Sequence, residues 1–267
     1  MERVAVLGAG VMGEALLSGL LRSGRTPADL LVAERRPDRA TELRERYGVD
    51  VVSNLEAATR ADTLLLVVKP QDMDALLSEI AGVVTPATLV ISLAAGITTA
   101  FIESRLVAGV AVVRVMPNTP ALVDEGMSAI SGGTNCDELH LAAAETLLGS
   151  VGHVLRVPEK HQDAVTAISG SGPAYIYYVV EAMIEAGVLL GLPRVTSSEL
   201  VVQTLFGAAT MLRETGEHPT VLRENVTSPA GTTVAALREL DDHKVRAAFL
   251  SAMEAARDRS RELAGGA

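Results

Sequence analysis

The amino-acid sequence predicts an α/β protein in two parts, a doubly wound domain over residues 1–157 and an all-helical domain over residues 158–267. Three observations predict this organisation. Short apolar runs alternate with helical patterns in the first part, and only helical patterns follow Pro158. The apolar runs are continuous, which is typical of strands covered on both faces of a parallel sheet. A glycine-rich turn joins the first run to the first helix.

The predicted strands are short runs rich in Val, Leu and Ile. Five of them occupy residues 3–8, 30–34, 63–68, 88–93 and 110–116. A further pair, residues 126–133 and 152–159, flanks a helix predicted from about Asp137 to Leu148. We therefore expect this pair to complete a single sheet that ends close to Pro158.

Apolar residues three and four positions apart predict the helices. In the first part these patterns cover residues 14–24, 37–48 and 71–84, and in the second part residues 161–192, 195–216 and 243–264. The C-terminal Gly-Gly-Ala is expected to be irregular. Several helices of the second part are apolar almost all round, and a domain of that size alone could hardly bury them. We therefore expect a homodimer formed through the helical half.

The composition excludes several classes of protein. Hydrophobic residues make up 48% of the 267 residues and charged residues 21%, as in an ordinary globular protein. The formal net charge of −10 argues against binding to nucleic acid or to an acidic membrane. A single cysteine, Cys136, fits a reducing cytoplasm. The histidines lack the spacing of a metal site or a catalytic triad, so no metal is expected.

The turn Gly-Ala-Gly-Val-Met-Gly follows the first predicted strand directly and precedes the first helix. In that setting its three glycines permit a tight turn, close approach of a pyrophosphate to the backbone, and close packing of helix on strand. Glycines that serve packing alone would give the same pattern. We predict a dinucleotide site, because the helix N-terminus also offers free amides to phosphates. The predicted contacts in the turn are Gly8, Ala9, Gly10, Val11, Met12 and Gly13.

The charged residues after the second strand bear on the choice of cofactor. Glu34 lies near the position at which a carboxylate binds the adenosine ribose in NAD enzymes. Arg35 and Arg36 follow directly and could instead bind a ribose 2′-phosphate, or the cluster could be solvated. Asn54, expected to begin a helix after a strand between the second and third runs, could cap that helix or reach the adenosine side. We favour NADPH and leave NADH open.

Other predicted contacts lie where strands end, because an open α/β sheet binds its ligand at the carboxyl ends of its strands. Lys69 and Pro70 close one strand, while Ala94 and Ala95 close the next with side chains small enough for a ring to lie close. Asn118 stands between two prolines and could orient a nicotinamide amide or only shape a turn. The predicted cofactor contacts outside the glycine turn are Glu34, Arg35, Asn54, Val67, Val68, Lys69, Pro70, Ala94, Ala95 and Asn118.

The stretch Val-Thr-Ser-Pro-Ala-Gly-Thr-Thr, residues 226–233, concentrates four hydroxyl side chains before a helical pattern. Ser228 is a favourable helix N-cap residue, and Pro229 suits the first turn of a helix. Gly231, Thr232 and Thr233 would then present backbone amides near the helix start, where an anion binds well. The stretch is therefore either an ordinary helix start or half of an active site.

Six motifs in one order resemble those of the pyrroline-5-carboxylate reductases of proline biosynthesis. They are GAGVMG, VVKPQ, SLAAG, RVMPNTPALVDEG, AISGSGPAYIY and VTSPAGTT, and they run through nearly the whole chain. The resemblance implies a Rossmann-type domain followed by a helical dimerisation domain. It also implies reduction of 1-pyrroline-5-carboxylate to L-proline with NAD(P)H, often in assemblies of several dimers. Glu34 departs from the family pattern, in which a small or amide residue is frequent, and this weakens the inference about cofactor preference.

With the resemblance, the hydroxyl-rich stretch acquires a role in binding substrate. The amides of Gly231, Thr232 and Thr233 would hold the substrate carboxylate, and Ser171 in the SGSG segment would line the same cleft. Thr233 and Ser228 are the candidate catalytic residues, and Thr233 is expected to hydrogen-bond the imine nitrogen or to relay a proton from water. A threonine hydroxyl is a weak acid, so the imine could also arrive protonated.

Two other functions are compatible with parts of the sequence. A β-hydroxyacid-type dehydrogenase would rely on a lysine in the helical half, which offers only Lys160 and Lys244, neither in a glycine-rich helix. A dinucleotide sensor without catalysis would not need the hydroxyl-rich stretch. We therefore predict a cytoplasmic NAD(P)H-dependent oxidoreductase that acts on a small molecule and forms a homodimer or a larger assembly of dimers.

Overall fold

The computed structural model describes residues 3–265 of the chain, so residues 1–2 and the last two residues of the C-terminal Gly-Gly-Ala lie outside the described part. Within it, the strands are β1 (Val4–Leu7), β2 (Leu30–Ala33), β3 (Asp50–Val52), β4 (Thr63–Leu66), β5 (Leu89–Ser92), β6 (Ala111–Met116), β7 (Gly126–Gly132) and β8 (Gly152–Arg156). They form one sheet in the order β3-β2-β1-β4-β5-β6-β7-β8. Because β1 lies between β2 and β4, the sheet is doubly wound, and the predicted fold class is confirmed.

The last two strands differ in direction from the rest of the sheet. The first six strands are parallel, as their continuous apolar runs predict, but β7 is antiparallel to β6. Residues 117–125, which join β6 to β7, are too few for the crossover that a parallel pair needs. A helix, α6 (Glu138–Leu148), then carries the chain to β8, which is parallel to β7. The sheet is therefore mixed at this edge, which the apolar pattern did not reveal.

Helices cover both faces of the sheet. The remaining helices of this part are α1 (Val11–Arg22), α2 (Pro37–Tyr47), α3 (Asn54–Arg60), α4 (Met73–Ile80) and α5 (Thr99–Glu103). Alternation along β1 places Val4 and Val6 in one core layer, and Ala5 and Leu7 in the other. Helices α1, α2 and α6 pack on the first layer, and α3, α4 and α5 on the second. Burial on both faces is the physical reason why the strands show no polar alternation.

The C-terminal part is helical, as predicted. After a short helix, α7 (Gln162–Val165), and a π-helical turn (Thr166–Gly170), it contains α8 (Gly172–Leu189), α9 (Arg194–Thr215), α10 (Pro219–Asn225), α11 (Thr232–Asp242) and α12 (Val245–Gly265). Gly172–Glu254 forms one compact unit, and the rest of the described chain forms the other. The boundary between residues 157 and 158, which follows from sequence character, stays a prediction.

The unit Gly172–Glu254 buries few of its side chains. Helices α8 and α11 contain no fully buried residue, and α9 buries only Ser197 and Val201. Large apolar side chains are exposed instead: Leu189 is 87% exposed and Phe206 is 65% exposed. Every helix among the described residues falls short of the length and apolar character that a membrane span requires. The exposed apolar surface is of the kind that marks a protein–protein interface.

Candidate active site

The candidate site begins at the carboxyl end of β1. This strand pairs with both β2 and β4, from which the chain winds in opposite directions, and such switch points are where open α/β sheets bind ligands. Gly8 stands there with φ of +101°, and its amide donates to the carbonyl oxygen of Ala33 at 3.0 Å. A Cβ on Gly8 would lie 2.7 Å from the carbonyl oxygen of Val67. The position therefore requires glycine on both counts.

The other two glycines of the turn meet different surroundings. A Cβ on Gly13 would overlap the carbonyl oxygen of Gly8, so Gly13 permits α1 to pack against the turn. A Cβ on Gly10 would meet no described atom within 4 Å. Gly10 is the N-cap residue of α1, and no side chain caps this helix. The space in front of α1 is therefore open and faces free backbone amides, an arrangement that suits a pyrophosphate.

The residues between these glycines differ in exposure. Ala9 is 1% exposed and packs into the core with the partly buried Met12, whereas Val11 is 68% exposed at the start of α1. Ala9 can therefore offer a ligand only its backbone. Of the predicted contacts in the turn, Val11 has the most exposed side chain, which could lie against a bound molecule.

Two adjoining cavities of about 150 and 310 Å³ open beside the glycine turn. Both are lined by Ala33, Glu34, Arg35 and Asn54. The smaller cavity is also lined by Gly8, Val68, Lys69 and Asp72, and the larger by Val52, Ser53 and Glu79. The structure therefore brings together predicted cofactor contacts that follow four different strands, β1 to β4.

The carboxylate of Glu34 is held by Arg36. Its Oε1 accepts hydrogen bonds from the Arg36 amide at 3.0 Å and from Nε at 3.2 Å, and its Oε2 accepts one from Nη2 at 3.4 Å. Burial raises the pKa of Glu34, but the hydrogen bonds and charge of Arg36 outweigh burial and hold the pKa below its ordinary value. Glu34 is therefore a carboxylate at neutral pH with a cation beside it, while Arg35 is exposed.

Asn54 does not cap the helix that it begins. Ser53 is the N-cap residue of α3, and its hydroxyl oxygen accepts a hydrogen bond from the Glu56 amide at 3.1 Å. The side-chain amide of Asn54 instead donates to the carboxylate of Glu79 at 2.8 Å. Of the two roles that the sequence left open for Asn54, capping is wrong. A role on the adenosine side is compatible with its place in both cavity walls.

The loops after β4 and β5 flank the switch point. The Val67 amide donates to β1 at 2.9 Å and so brings this loop close to the glycine turn. Pro70 begins a 3₁₀ turn, Pro70–Asp72, directly after the exposed Lys69. After β5, Ala94 is buried and Ala95 is exposed. The exposed small side chain is the feature expected for a surface on which a ring lies.

Asn118 joins the loop after β6 to the π-helical turn. Its Oδ1 accepts a hydrogen bond from the Met127 amide at 2.8 Å, and its Nδ2 donates to the Ser169 carbonyl oxygen at 3.1 Å. Ser169 belongs to the π-helical turn, which the amide of Ser171 closes, and such turns are frequent at functional sites. Asn118 therefore holds two segments of chain in place. Its contact with a nicotinamide amide stays a prediction.

A partly buried ion pair was not predicted from the sequence. Arg114 of β6 is 6% exposed and donates to Glu159 at 3.3 Å. The same carboxylate accepts hydrogen bonds from the amide and the hydroxyl of Thr99 at 2.8 and 2.6 Å. Glu159 therefore links β6 to the start of α5, which follows the small-residue loop. An arginine inside an apolar run was the signal that could have found this link.

In the other unit, the hydroxyl-rich stretch folds differently from the prediction. The N-cap residue of α11 is Gly231, and the helix begins at Thr232. The Gly231 amide donates to the Ser228 carbonyl oxygen at 3.0 Å and closes a turn whose central residues are Pro229 and Ala230. Ala230 has φ of +57°, which no right-handed helix contains. The prediction of Ser228 as N-cap with Pro229 in the first turn was therefore wrong.

The physical reason for this error lies in the proline. A φ near −65° suits both the first turn of a helix and the second position of a β-turn, so the sequence permits either. The turn consumes the Gly231 amide and leaves those of Thr232 and Thr233 at the start of α11, which no side chain caps. A Cβ on Gly231 would overlap the Ser228 hydroxyl oxygen, so that hydroxyl lies beside the same helix start. Amides and hydroxyl together can hold an anion.

Two other expectations concern the helical part. Ser171 is partly buried and stands directly before α8, whose first turn contains Pro173. Gly170 lies against Met116, since a Cβ on it would overlap the methionine methyl group, whereas a Cβ on Gly172 would meet no described atom within 4 Å. The substrate-binding role of Ser171 stays a prediction.

Within the described residues, no group of three His, Cys, Asp or Glu side chains is placed to hold a metal ion.

Comparisons with known proteins match the chain along nearly its whole length. Residues 159–263 match the family model for pyrroline-5-carboxylate reductase dimerisation, and residues 3–96 match that for coenzyme F420-dependent NADP oxidoreductases. The pyrroline-5-carboxylate reductase of Corynebacterium melassecola is 49% identical over 98% of this chain and 99% of its own. The solved structure of that enzyme from Coxiella burnetii is 36% identical with a TM-score of 0.94, and each chain is 98% covered. The Plasmodium falciparum pyrroline carboxylate reductase, solved with NADP bound, is 29% identical with a TM-score of 0.88 and the same coverage.

Proposed function

Since this chain belongs to the pyrroline-5-carboxylate reductase family and reduces 1-pyrroline-5-carboxylate to L-proline with a nicotinamide cofactor, we propose how its residues divide that reaction. The doubly wound part binds the hydride donor, and the start of α11 binds the imino acid. The observation that carries the proposal is that α1 and α11 both begin without a side-chain cap, next to turns that leave their first amides open. The alternatives of a β-hydroxyacid dehydrogenase and of a non-catalytic sensor are not favoured.

For the cofactor we propose NADPH as the preferred form, with NADH also accepted. The amides at the start of α1 would bind the pyrophosphate, and Ala95 would lie against the nicotinamide ring. Arg35 would pair with the ribose 2′-phosphate, because it is exposed and lines both cavities. The NADP-bound structure of a relative and the NADP oxidoreductase model that matches residues 3–96 support this choice. When bound, the cofactor supplies the hydride, and the protein supplies position and electrostatics.

For the substrate we propose that the amides of Thr232 and Thr233 hold the carboxylate. The partial positive charge of a helix N-terminus stabilises an anion there without an arginine. This local charge matters in a protein whose formal net charge is −10, because the overall field repels acidic metabolites. The hydroxyl of Ser228 lies at the same helix end and adds a donor. Ser171 is proposed as a further contact with the substrate.

Thr233 is proposed as the residue that hydrogen-bonds the ring nitrogen. Its side chain is partly buried, and none of the hydrogen bonds among the described residues engages its hydroxyl. That hydroxyl is therefore free to donate to the imine or to hold a water that delivers a proton. Its pKa is too high for strict general-acid catalysis, so its contribution comes from orientation and from a hydrogen bond to the developing amine.

Substitution of Thr233 tests this proposal. We expect Thr233→Ala to lower kcat about tenfold, the effect of losing one hydrogen bond of roughly 1.4 kcal/mol, and to leave the KM for NADPH unchanged. Thr233→Ser keeps the hydroxyl and serves as the matched control, with activity close to that of the unmodified protein. NADPH and NADH oxidation with pyrroline-5-carboxylate gives the rates. If Thr233→Ala turned over as fast as the unmodified protein, the proposed role of Thr233 would be wrong. If the unmodified protein showed no turnover with either cofactor, the reductase function itself would be contradicted.

We further propose that the enzyme works in the cytoplasm as a homodimer, or as a larger assembly of such dimers. The description of the model that matches residues 159–263 as a dimerisation domain supports association. The exposed apolar side chains of α8 and α9 supply a surface for it. Cys136 is a free, partly buried thiol, which is compatible with a reducing compartment.

A further inference from the structure

The adenosine side of the proposed cofactor site holds one acidic and two basic residues in sequence, and the structure gives them different surroundings. Glu34 forms part of the wall of both cavities, although its side chain is only 9% exposed. Arg35 lines the same cavities, and none of the ion pairs and hydrogen bonds found among the described residues engages its guanidinium group. Arg36 is not among the residues that line either cavity, and its side chain is 63% exposed.

The two cofactors place opposite demands on Glu34. The ribose 2′-phosphate of NADPH is an anion and would be repelled by a free carboxylate in the cavity wall. The 2′-hydroxyl of NADH is a hydrogen-bond donor and would be bound by the same carboxylate. A free Glu34 would therefore favour NADH and oppose NADPH. The other charged groups that line the cavities are Lys69, Asp72 and Glu79, and Glu79 is already bonded by Asn54.

Arg36 changes this balance without lying in the cavity wall. Its amide and its guanidinium group give Glu34 three hydrogen bonds and a neutralising charge. The Arg35 amide is a further hydrogen-bond donor to this carboxylate, so a ribose hydroxyl would share the carboxylate oxygens with these donors. The pair is thus nearly neutral toward a phosphate and still able to bind a hydroxyl group.

We propose that Arg36, through its hold on Glu34, sets the balance between NADPH and NADH in this enzyme, and that Glu34 is the residue that admits NADH. The inference rests on the proposed cofactor site. Arg35 contacts the 2′-phosphate, and Arg36 is a positioning residue that acts through Glu34. Removing Arg36 leaves the Glu34 charge uncompensated and weakens the binding of NADPH. Removing the Glu34 charge weakens the binding of NADH.

A double-mutant cycle tests this mechanism. The variants are Arg36→Gln, Glu34→Gln and the double substitution, and kcat/KM is measured for NADPH and for NADH with pyrroline-5-carboxylate. Arg36→Gln is expected to lower kcat/KM for NADPH about tenfold through KM, the effect of one uncompensated charge at a partly exposed site, with kcat unchanged. Glu34→Gln is expected to lower kcat/KM for NADH by a similar factor. In the Glu34→Gln background, Arg36→Gln should have no further effect on NADPH.

Calorimetric titration with 2′,5′-ADP and with 5′-ADP gives a readout that does not depend on catalysis. The affinity for 2′,5′-ADP should fall in Arg36→Gln and be regained in the double variant. Arg156→Gln provides the matched control, because Arg156 pairs with Glu145 at 2.6 Å and lies on β8, at the opposite end of the sheet from β3 and β2. It should leave both affinities unchanged.

Two results would overturn the inference. If Arg36→Gln weakened NADPH binding equally in the unmodified protein and in Glu34→Gln, Arg36 would contact the phosphate itself. If neither substitution changed the ratio of NADPH to NADH efficiency, the Glu34–Arg36 pair would be a solvated surface pair. A protein that oxidises neither cofactor with pyrroline-5-carboxylate would instead contradict the proposed function, and the nucleotide titrations would still report on Glu34 and Arg36.

Discussion

At the scale of single residues, the three glycines after β1 have different structural surroundings. Gly8 combines a positive φ with close contact to the loop after β4, and Gly13 allows α1 to approach the turn. Gly10 has neither constraint, since its φ is −69° and a Cβ on it would reach open space. The fold therefore requires two of these glycines, and the open space at Gly10 suits the proposed binding of a pyrophosphate at the start of α1.

Substitution of Gly10 separates these two roles. We expect Gly10→Ala to keep the thermal stability of the protein and to weaken NADPH binding about tenfold, because the added methyl group occupies the space that the pyrophosphate needs. Gly13→Ala should instead lower the melting temperature, because its Cβ overlaps the backbone of the turn. Fluorescence titration with NADPH and thermal denaturation give the two readouts.

Gly82 offers a control for this experiment. A Cβ on Gly82 would also meet no described atom within 4 Å, and Gly82 does not belong to the candidate site. Gly82→Ala should change neither the melting temperature nor the affinity for NADPH. Unaltered NADPH affinity in Gly10→Ala would mean that the pyrophosphate does not bind at the start of α1.

At the scale of elements, the carboxylate of Glu14 links α1 to α2 through hydrogen bonds. Glu14 in the first turn of α1 accepts hydrogen bonds from the Tyr47 hydroxyl at 2.7 Å and from Arg46 at 2.9 Å, and it also contacts Arg39. All three partners lie on α2. The helix whose amides are proposed to bind the pyrophosphate is thereby joined to the helix that follows Glu34 and the two arginines. A carboxylate in the first turn also suits the helix dipole of α1.

This cluster predicts a dependence of stability on pH. Burial raises the pKa of Glu14, but hydrogen bonds from Tyr47 and Arg39 and the charges of Arg39 and Arg46 outweigh it and hold the pKa below its ordinary value. A carboxylate whose pKa is lowered by folding stabilises the protein fully above its unfolded pKa, about 4.3 for glutamate, and loses this contribution as the pH falls through the folded value. The free energy of unfolding should therefore decrease as the pH is lowered beyond about 4.3.

Urea denaturation at a series of pH values measures this effect. The acid-induced loss should be smaller in Glu14→Gln, which is already less stable at neutral pH because the charge is gone. Glu45→Gln is the matched control, since Glu45 is an exposed residue of α2 outside the cluster. Parallel pH profiles for Glu14→Gln and the unmodified protein would show that the cluster does not carry the effect.

At the scale of the whole molecule, the helical half has too little core of its own. Its helices keep large apolar side chains exposed, and the buried core clusters lie in the doubly wound part. Isolated apolar residues on a surface are ordinary, whereas many large ones exposed along α8 and α9 are typical of a protein–protein interface. A second copy of the chain, as proposed above, accounts for this surface.

The association can be tested directly. Light scattering at micromolar concentration should show at least two chains per particle and no monomer. Phe206→Glu on α9 should shift the equilibrium toward monomer, because it places a charge in the proposed interface. Leu139→Glu is the control: Leu139 is 78% exposed, but it lies on α6, outside the helical half. A monomeric unmodified protein would contradict the proposed dimer.

The sequence by itself determined the fold class, the glycine turn, the helical second half and the family. These follow from patterns of neighbouring residues, because strand and helix periodicity, glycine freedom and motif order are local properties. It also placed Glu34, Arg35, Asn54 and Lys69 as candidates at one site, because parallel strands end at one edge of a sheet.

Only the tertiary structure decided how these residues are engaged. The reversal of β7, the capping of α3 by Ser53 and the turn that makes Gly231 the cap of α11 each depend on choices that local sequence leaves balanced. The pairing of Glu34 with Arg36 depends on side-chain geometry. The hydrogen bond from Asn118 to the Ser169 carbonyl oxygen joins residues far apart in the chain. Contacts of this kind are set by the packing of the folded chain, where small differences in free energy select one partner among several.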